Sequence, residues 1–162
     1  MGSDGAAGLL GRVGAGFFQQ AYVVADLEAA QDAFRSALGC ARFNNLPATP
    51  LPYRYRGRAV ECALALAFGR SGDVQIELIQ PVSGEGTHVD FLAARGPGAH
   101  HLGFLVDDVE AELEASRAGG VDELMSGQFG SLRFAYLDTV DLLGVFVELV
   151  EDPDGIMQTL TP

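Results

Sequence analysis

Cysteine is almost absent from this chain: two in 162 residues, Cys40 and Cys62, neither in a metal-ligand spacing. Two cysteines cannot build a disulfide framework, so the fold must rest on its core. Basic residues are also scarce, ten against 22 acidic ones for a net charge of −12. That balance excludes a nucleic-acid-binding surface and means that an anionic ligand would need a local basic patch. No apolar run approaches the roughly 18 residues of a membrane span. The opening MGSDGAAGLLGRVGAG lacks the charged-then-apolar order of a secretory signal, and residues 1–15 are expected to be a flexible tail. A cytoplasmic protein without nucleic-acid or membrane partners follows. Histidine is rare too: there are three, and two of them, His100 and His101, are adjacent in GPGAHHLGF.

What is present is globular in character, with 48% hydrophobic and 20% charged residues, and long enough to bury a core. Two segments match at constant spacing. Gln19 falls under His101, Ala21 under Gly103, Tyr22 under Phe104 and Val24 under Val106. Beyond them Asp26 falls under Asp108, Glu28 under Glu110 and Arg35 under Arg117. Each copy reads as an alternating strand, an Asp N-cap, a helix and a glycine stop. A second pair, GDVQIELIQP and LGVFVELVEDP, sets Glu77 over Glu148. Between them lie further strand-like runs: CARF and RAVECALALAF, then VDELM and LRFAYLD. Two matches in the same order imply a duplication. The fold class is therefore α+β, with two tandem βαβββ modules. Module 1 spans about 16–81 and module 2 about 99–150. Between them runs a linker, about 82–98, with a short helix around His88–Ala94; a tail, 151–162, follows, and a homodimer is expected.

Duplicated units pair about a pseudo-twofold axis, so corresponding residues face one another. Gln19, Glu77, His101 and Glu148 are polar residues stranded in strands of Val, Ile, Leu, Phe and Ala. Buried alone, two carboxylates would repel each other and lose hydration. One divalent cation (Zn, Ni, Co, Mn or Mg) would remove both penalties, taking oxygen from Glu77, Glu148 and Gln19 and nitrogen from His101. Strand alternation then sends His100 to the opposite face as a structural residue, and His88, in the polar linker, to solvent.

At these residues the sequence resembles the vicinal oxygen chelate superfamily, which includes glyoxalase I, methylmalonyl-CoA epimerase, extradiol dioxygenases and bleomycin-resistance proteins. The likeness runs from about Phe17 to Val150 and is most specific in QAYVVADLEAA, QIELIQP, GPGAHHLGFLVDDVEA and GVFVELVE. It implies a single domain over 16–150 whose two modules form a curled mixed sheet around a shared metal cleft. The wording is closest to the methylmalonyl-CoA epimerase and glyoxalase I-like branch. That branch implies His101 and Glu148 as ligands, with Glu77 at a third position. It also sets Glu61, in RAVECALA, where epimerases carry a carboxylate base; a solvent-facing strand residue is the other reading of Glu61. Epimerases have His where this chain has Gln19. The set Gln, Glu, His, Glu matches eukaryotic-type glyoxalase I, yet the glutathione-gripping Arg of those enzymes is Val23 here. The extradiol triad is incomplete.

Such a site supports metal-dependent proton transfer next to a carbonyl or thioester, in a small carbonyl compound or an acyl-CoA. Glu148 acting alone gives an isomerase or lyase of the glyoxalase type; Glu148 with Glu61 on opposite faces gives an epimerase. Arg54, Arg56 and Arg58 in YRYRGR alternate and would share one strand face, fit for coenzyme A phosphates or a carboxylate, or else a solvated edge. NNLPATPLP reads as a loop over the cleft mouth. The alternative function is a metal-free small-molecule binding protein of the bleomycin-resistance type.

Overall fold

The computed structural model describes residues 3–162, with side chains from Gly8 onward. Strand β1 (Phe17–Val23) leads through Asp26 into helix α2 (Leu27–Leu38). The extended Asp26 accepts the Ala29 N–H at 3.0 Å, and Gly39, at φ 67°, ends the helix in the left-handed conformation. Strands β2 (Asn44–Tyr55), β3 (Arg58–Ser71) and β4 (Val74–Gly84) follow, then α3 (Thr87–Arg95). The order continues with β5 (Gly98–Leu105), α4 (Val109–Ala118) capped by Asp108 through Ala111 N–H at 3.0 Å, β6 (Glu123–Phe129) and β7 (Leu132–Leu137). A single turn, α5 (Val140–Leu143), precedes β8 (Phe146–Glu151) and α6 (Ile156–Leu160).

The eight strands form one closed mixed sheet in the order β1-β4-β3-β2-β6-β7-β8-β5. β1 runs parallel to β4, and β5 parallel to β8, while β1 and β5 pair antiparallel. Strand alternation divides the side chains cleanly. Ile76 and Leu78 of β4 face outward with Val24 and Cys40 toward α2. Val147 and Leu149 of β8 face outward with Val109 and Leu113 of α4. The intervening residues of the same strands, Glu77 and Glu148, therefore point inside. At the far side β2 and β6 pair over two residues, Arg54 with Ser126 and Tyr55 with Met125, and just beyond them the Arg56 N–H donates to the Leu124 carbonyl at 2.9 Å. The rest of β2 has a free edge, which is where the sheet opens.

That edge explains a departure from expectation. NNLPATPLP is strand, not loop. Pro47, Pro50 and Pro52 are tolerated because an edge strand need not donate on both sides, and a bulge between Leu46 and Thr49 absorbs an extra residue. CARF, by contrast, is not a strand, and β6 begins at Glu123. The expected tail at 1–15 contains helix α1 (Ser3–Val13), whose Leu9 and Val13 are buried against α4 and β8; residues 1 and 2 lie outside the described part. The C-terminal tail likewise packs: Met157 joins Phe68, Leu132 and Val150. Among the described residues no helix is long and apolar enough to cross a membrane.

Backbone constraints separate two glycines. Gly84 sits at φ 93°, and a Cβ there would lie 2.1 Å from the Glu61 carbonyl oxygen. Gly39 is also left-handed, but a Cβ there meets nothing within 4 Å. Gly39→Ala should cost about 1–2 kcal/mol in urea unfolding. Gly84→Ala should cost about 3 kcal/mol or more, since a backbone clash adds to the strain. Equal losses would contradict this placement.

Candidate active site

Four inward-facing strands bring Gln19, Glu77, His101 and Glu148 to one point. Ala21 pairs with both Glu77 and His101, and Gly103 pairs with both Gln19 and Glu148. The His101 Nε2 lies 3.0 Å from Gln19 Oε1, 3.2 Å from Glu148 Oε2 and 3.4 Å from Glu77 Oε2. All four are buried, none more than 7% exposed. Gly103 is required by this closeness, because a Cβ there would stand 2.8 Å from Gln19 Oε1. The Gln19 amide is oriented from behind. Its Nε2 donates to Gln75 Oε1 at 2.6 Å, which turns Oε1 toward the cluster. Gln75 in turn donates to the Met157 carbonyl at 3.0 Å and to Thr161, tying the C-terminal segment to the site.

His100 is not on the opposite face. The ladder skips it, pairing Ala21 with His101 and Tyr22 with Ala99, so His100 is the extra residue of a bulge. The bulge cancels alternation and sets the two imidazoles 2.9 Å apart, Nδ1 to Nδ1. His101 Nδ1–H donates to His100 Nδ1, leaving His101 Nε2 for the carboxylates. His88 departs from expectation too: it is 1% exposed, stacked on His100 at 4.5 Å because α3 packs inward. Its Nε2 lies 3.3 Å from the Tyr136 hydroxyl. Two buried nitrogens, His88 Nδ1 and His100 Nε2, have no hydrogen-bond partner among the described residues.

Charge follows from these contacts. Burial alone would lower the His101 pKa, but Glu148, and then Glu77, hold it protonated, up to about 9. Burial raises the Glu77 carboxyl, against the pull of His101 and with the push of Glu148. Burial and the His101 charge lower His88 to about 3, and burial, then His88 and His101, lower His100. Tyr136 is raised by burial and the two carboxylates, so its hydroxyl stays a donor.

The cluster opens on an interior cavity of about 320 Å³. Leu51, Leu64, Leu66, Phe68, Ile79 and Phe134 line it, while Glu77, Glu148, Tyr53, Tyr136 and His88 supply most of its polar groups. Glu61 is not among them. It is exposed, because β3 sends Leu64, Leu66 and Phe68 inward and Glu61 lies on the other parity. The arginines are not there either. Arg56 and Gly57 are the two positive-φ residues of a hairpin turn, which breaks the alternation assumed for a continuous strand. Arg58 pairs with Glu85 at 2.8 Å in solvent, and Arg54 is exposed on an outer groove. Gln75 and Tyr136 were not anticipated; their register with Glu77 and with Phe134 was the available signal.

Glu77, His101 and Glu148 form a buried group that could hold a metal ion. The donor set fits: two carboxylates, one imidazole nitrogen and an amide oxygen held in place converge in a space a single Cβ would crowd. A second trio, His88, His100 and His101, is also close, but His88 and His100 stack at 23°, so their in-plane lone pairs run side by side.

This architecture, an eight-stranded mixed sheet curled around a carboxylate–histidine cluster, is a family signature. The sequence profile of the glyoxalase/bleomycin resistance protein/dioxygenase superfamily matches residues 18–136, and the chain belongs to that superfamily. It is similar to the uncharacterized protein YqjC of Bacillus subtilis (strain 168), 28% identical over 108 residues, 65% of this chain and 76% of that one. Among solved structures it is similar to methylmalonyl-CoA epimerase from Mycobacterium tuberculosis, with TM-score 0.58 and 24% identity over 88% of this chain and 91% of that one. It is also similar to a variant of Streptomyces coelicolor methylmalonyl-CoA epimerase in complex with 2-nitronate-propionyl-CoA. There the TM-score is 0.54 and the identity 25%, over 83% of this chain and 92% of that one.

The buried histidines give a pH test. His88 is neutral in the fold down to about pH 3 but takes a proton near 6.5 when unfolded. Its contribution to stability is complete above 6.5 and is lost as pH falls toward 3. In chelator-treated protein, His88→Phe should flatten the acid side of a stability–pH curve from urea melts. An unchanged acid limb would contradict the burial of His88.

Proposed function

We propose that the protein is a metal-dependent isomerase or lyase that moves a proton at a carbon next to a carbonyl. The observation that carries this reading is the convergence of Glu77, Glu148 and the Gln19 oxygen on His101 Nε2, beside an apolar cavity. The likeness to epimerases adds support. Gln19, Glu77, His101 and Glu148 hold one divalent cation, which supplies Lewis acidity toward the substrate oxygen. His100 orients His101 through the Nδ1 bond, as outer partners of metal-binding imidazoles do. Two free and buried cysteines suit a reducing, cytoplasmic setting.

In this reading Glu148 is the base. It faces the cavity, which Tyr136, its hydroxyl 3.3 Å from His88 Nε2, also lines. Glu148 takes the proton from the substrate carbon and returns it to the neighbouring one, while the apolar walls keep water from competing. No carboxylate other than Glu77 and Glu148 lines the cavity among the described residues. The one-base route is therefore favoured over inversion assisted by Glu61.

Two measurements check this. Protein purified without chelator should bind about one divalent ion; His101→Ala should abolish binding and His100→Leu should weaken it about 10–100-fold. Equal metal content in wild type and His101→Ala would overturn the assignment. Deuterium uptake from heavy water into a panel of carbonyl compounds and acyl-CoA esters should fall about 10²–10⁴-fold in Glu148→Gln. Glu61→Gln should stay within a few-fold of wild type. A metal-loaded protein that exchanges nothing would point to a binding protein instead.

A further inference from the structure

We propose that the cavity selects a small, uncharged, apolar carbonyl compound and discriminates against carboxylates and coenzyme A esters. The inference deepens the proton-transfer reading and rests on it. Its first ground is the set of charges available. The chain has no lysine and ten arginines. None of the arginines lines the cavity. Arg58 is spent on Glu85, Arg133 on Glu110 and Glu151, Arg12 on Glu112 and Arg35 on Asp32. Arg56 lies over the Tyr55 ring, 5.3 Å from its centre, outside the sheet.

The second ground is the charge of the cluster itself. Glu77 and Glu148 together neutralise one divalent cation, so the loaded site has no net charge left for an anionic substrate. Away from the ion a substrate carboxylate would meet apolar walls and no basic side chain, so most of its lost hydration is not replaced.

The third ground is the opening. Where β2 and β6 stop pairing, the cavity is bordered by Pro47, Thr49, Gln128, Phe129 and Leu160. None carries a charge, and Phe129 remains 51% exposed. Phosphates of a coenzyme A tail need arginine or lysine forks, and here they would meet uncharged side chains on a chain of net charge −12. The cavity, about 320 Å³, is at the lower end of the ~300–1,000 Å³ usual for ligand pockets. This sets the chain apart from the similar epimerase solved with 2-nitronate-propionyl-CoA.

The test uses cobalt-loaded full-length protein and three probes: 2-hydroxyacetophenone, its 4-carboxylate analogue and methylmalonyl-CoA. Calorimetry reads binding, and NMR in heavy water reads exchange. The neutral ketone should bind at least about tenfold more tightly than either anion. Thr49→Arg, at an exposed position bordering the cavity, should narrow that preference by strengthening the carboxylate analogue. Equal or tighter binding of either anion to wild type overturns the inference. So does failure of the neutral ketone to bind at millimolar concentration. Exchange of methylmalonyl-CoA at a rate above the ketone would uphold proton transfer while overturning this substrate class. Tight ketone binding without exchange would uphold the class and overturn the proton-transfer reading.

Discussion

Two carboxylates are buried against one imidazole, and most of the interior is arranged around that fact. Glu77 and Glu148 lie 3.4 and 3.2 Å from the same nitrogen of His101. A single proton on His101 compensates only one of the two charges, so burial raises Glu77 and the carboxylates raise His101. Such a cluster is costly unless every remaining lone pair has a partner. Part of that support is a relay of hydrogen bonds: Gln19 on His101, Gln75 on Gln19, and the C-terminal turn on Gln75. The chain of contacts links β1, β4, β5, β8 and α6 through polar groups, inside a sheet whose outer face is covered by hydrophobic packing together with hydrogen bonds from Gln80 and Glu151 to the first turns of α2 and α4.

The opening of the sheet depends on a different constraint. β2 carries three prolines and a bulge, and it pairs with β6 over two residues only. A strand able to pair fully on both edges would seal the interior. Proline, by removing donors along that edge, keeps the cavity accessible and leaves the exposed Phe129 beside the gap. Access to the cluster is thus written into β2, whereas the chemistry is written into the four strands opposite.

Much of this was legible in the sequence. Period-two alternation through QIELIQP and GVFVELVE placed Glu77 and Glu148 inward, and the spacing between Gln19 and His101 set those two on the same face. The Asp26 and Asp108 caps and the glycine stops located both helices. What alternation could not reveal were its own interruptions. The bulge at His100 turned a residue expected on the far face into a partner of His101. The turn at Arg56 and Gly57 dispersed the basic patch, and the parity of β3 sent Glu61 to solvent. His88 looked exposed because its neighbours are polar, yet the inward packing of α3 buries it. Long-range contacts of the two chain ends, Leu9 and Val13 on one side and Met157 on the other, leave no periodic trace in short, glycine-rich segments.

The central claim is that the cluster is a cation site completed by the Gln19 oxygen. The most direct measurement is a crystal structure grown with manganese, using anomalous diffraction to locate the ion. The account predicts one peak about 2.0–2.3 Å from His101 Nε2, an oxygen of each of Glu77 and Glu148, and Gln19 Oε1. A peak beside the His88–His100 stack would contradict it. So would a cluster that keeps its 3.2 Å His101–Glu148 contact with no ion bound at saturating metal.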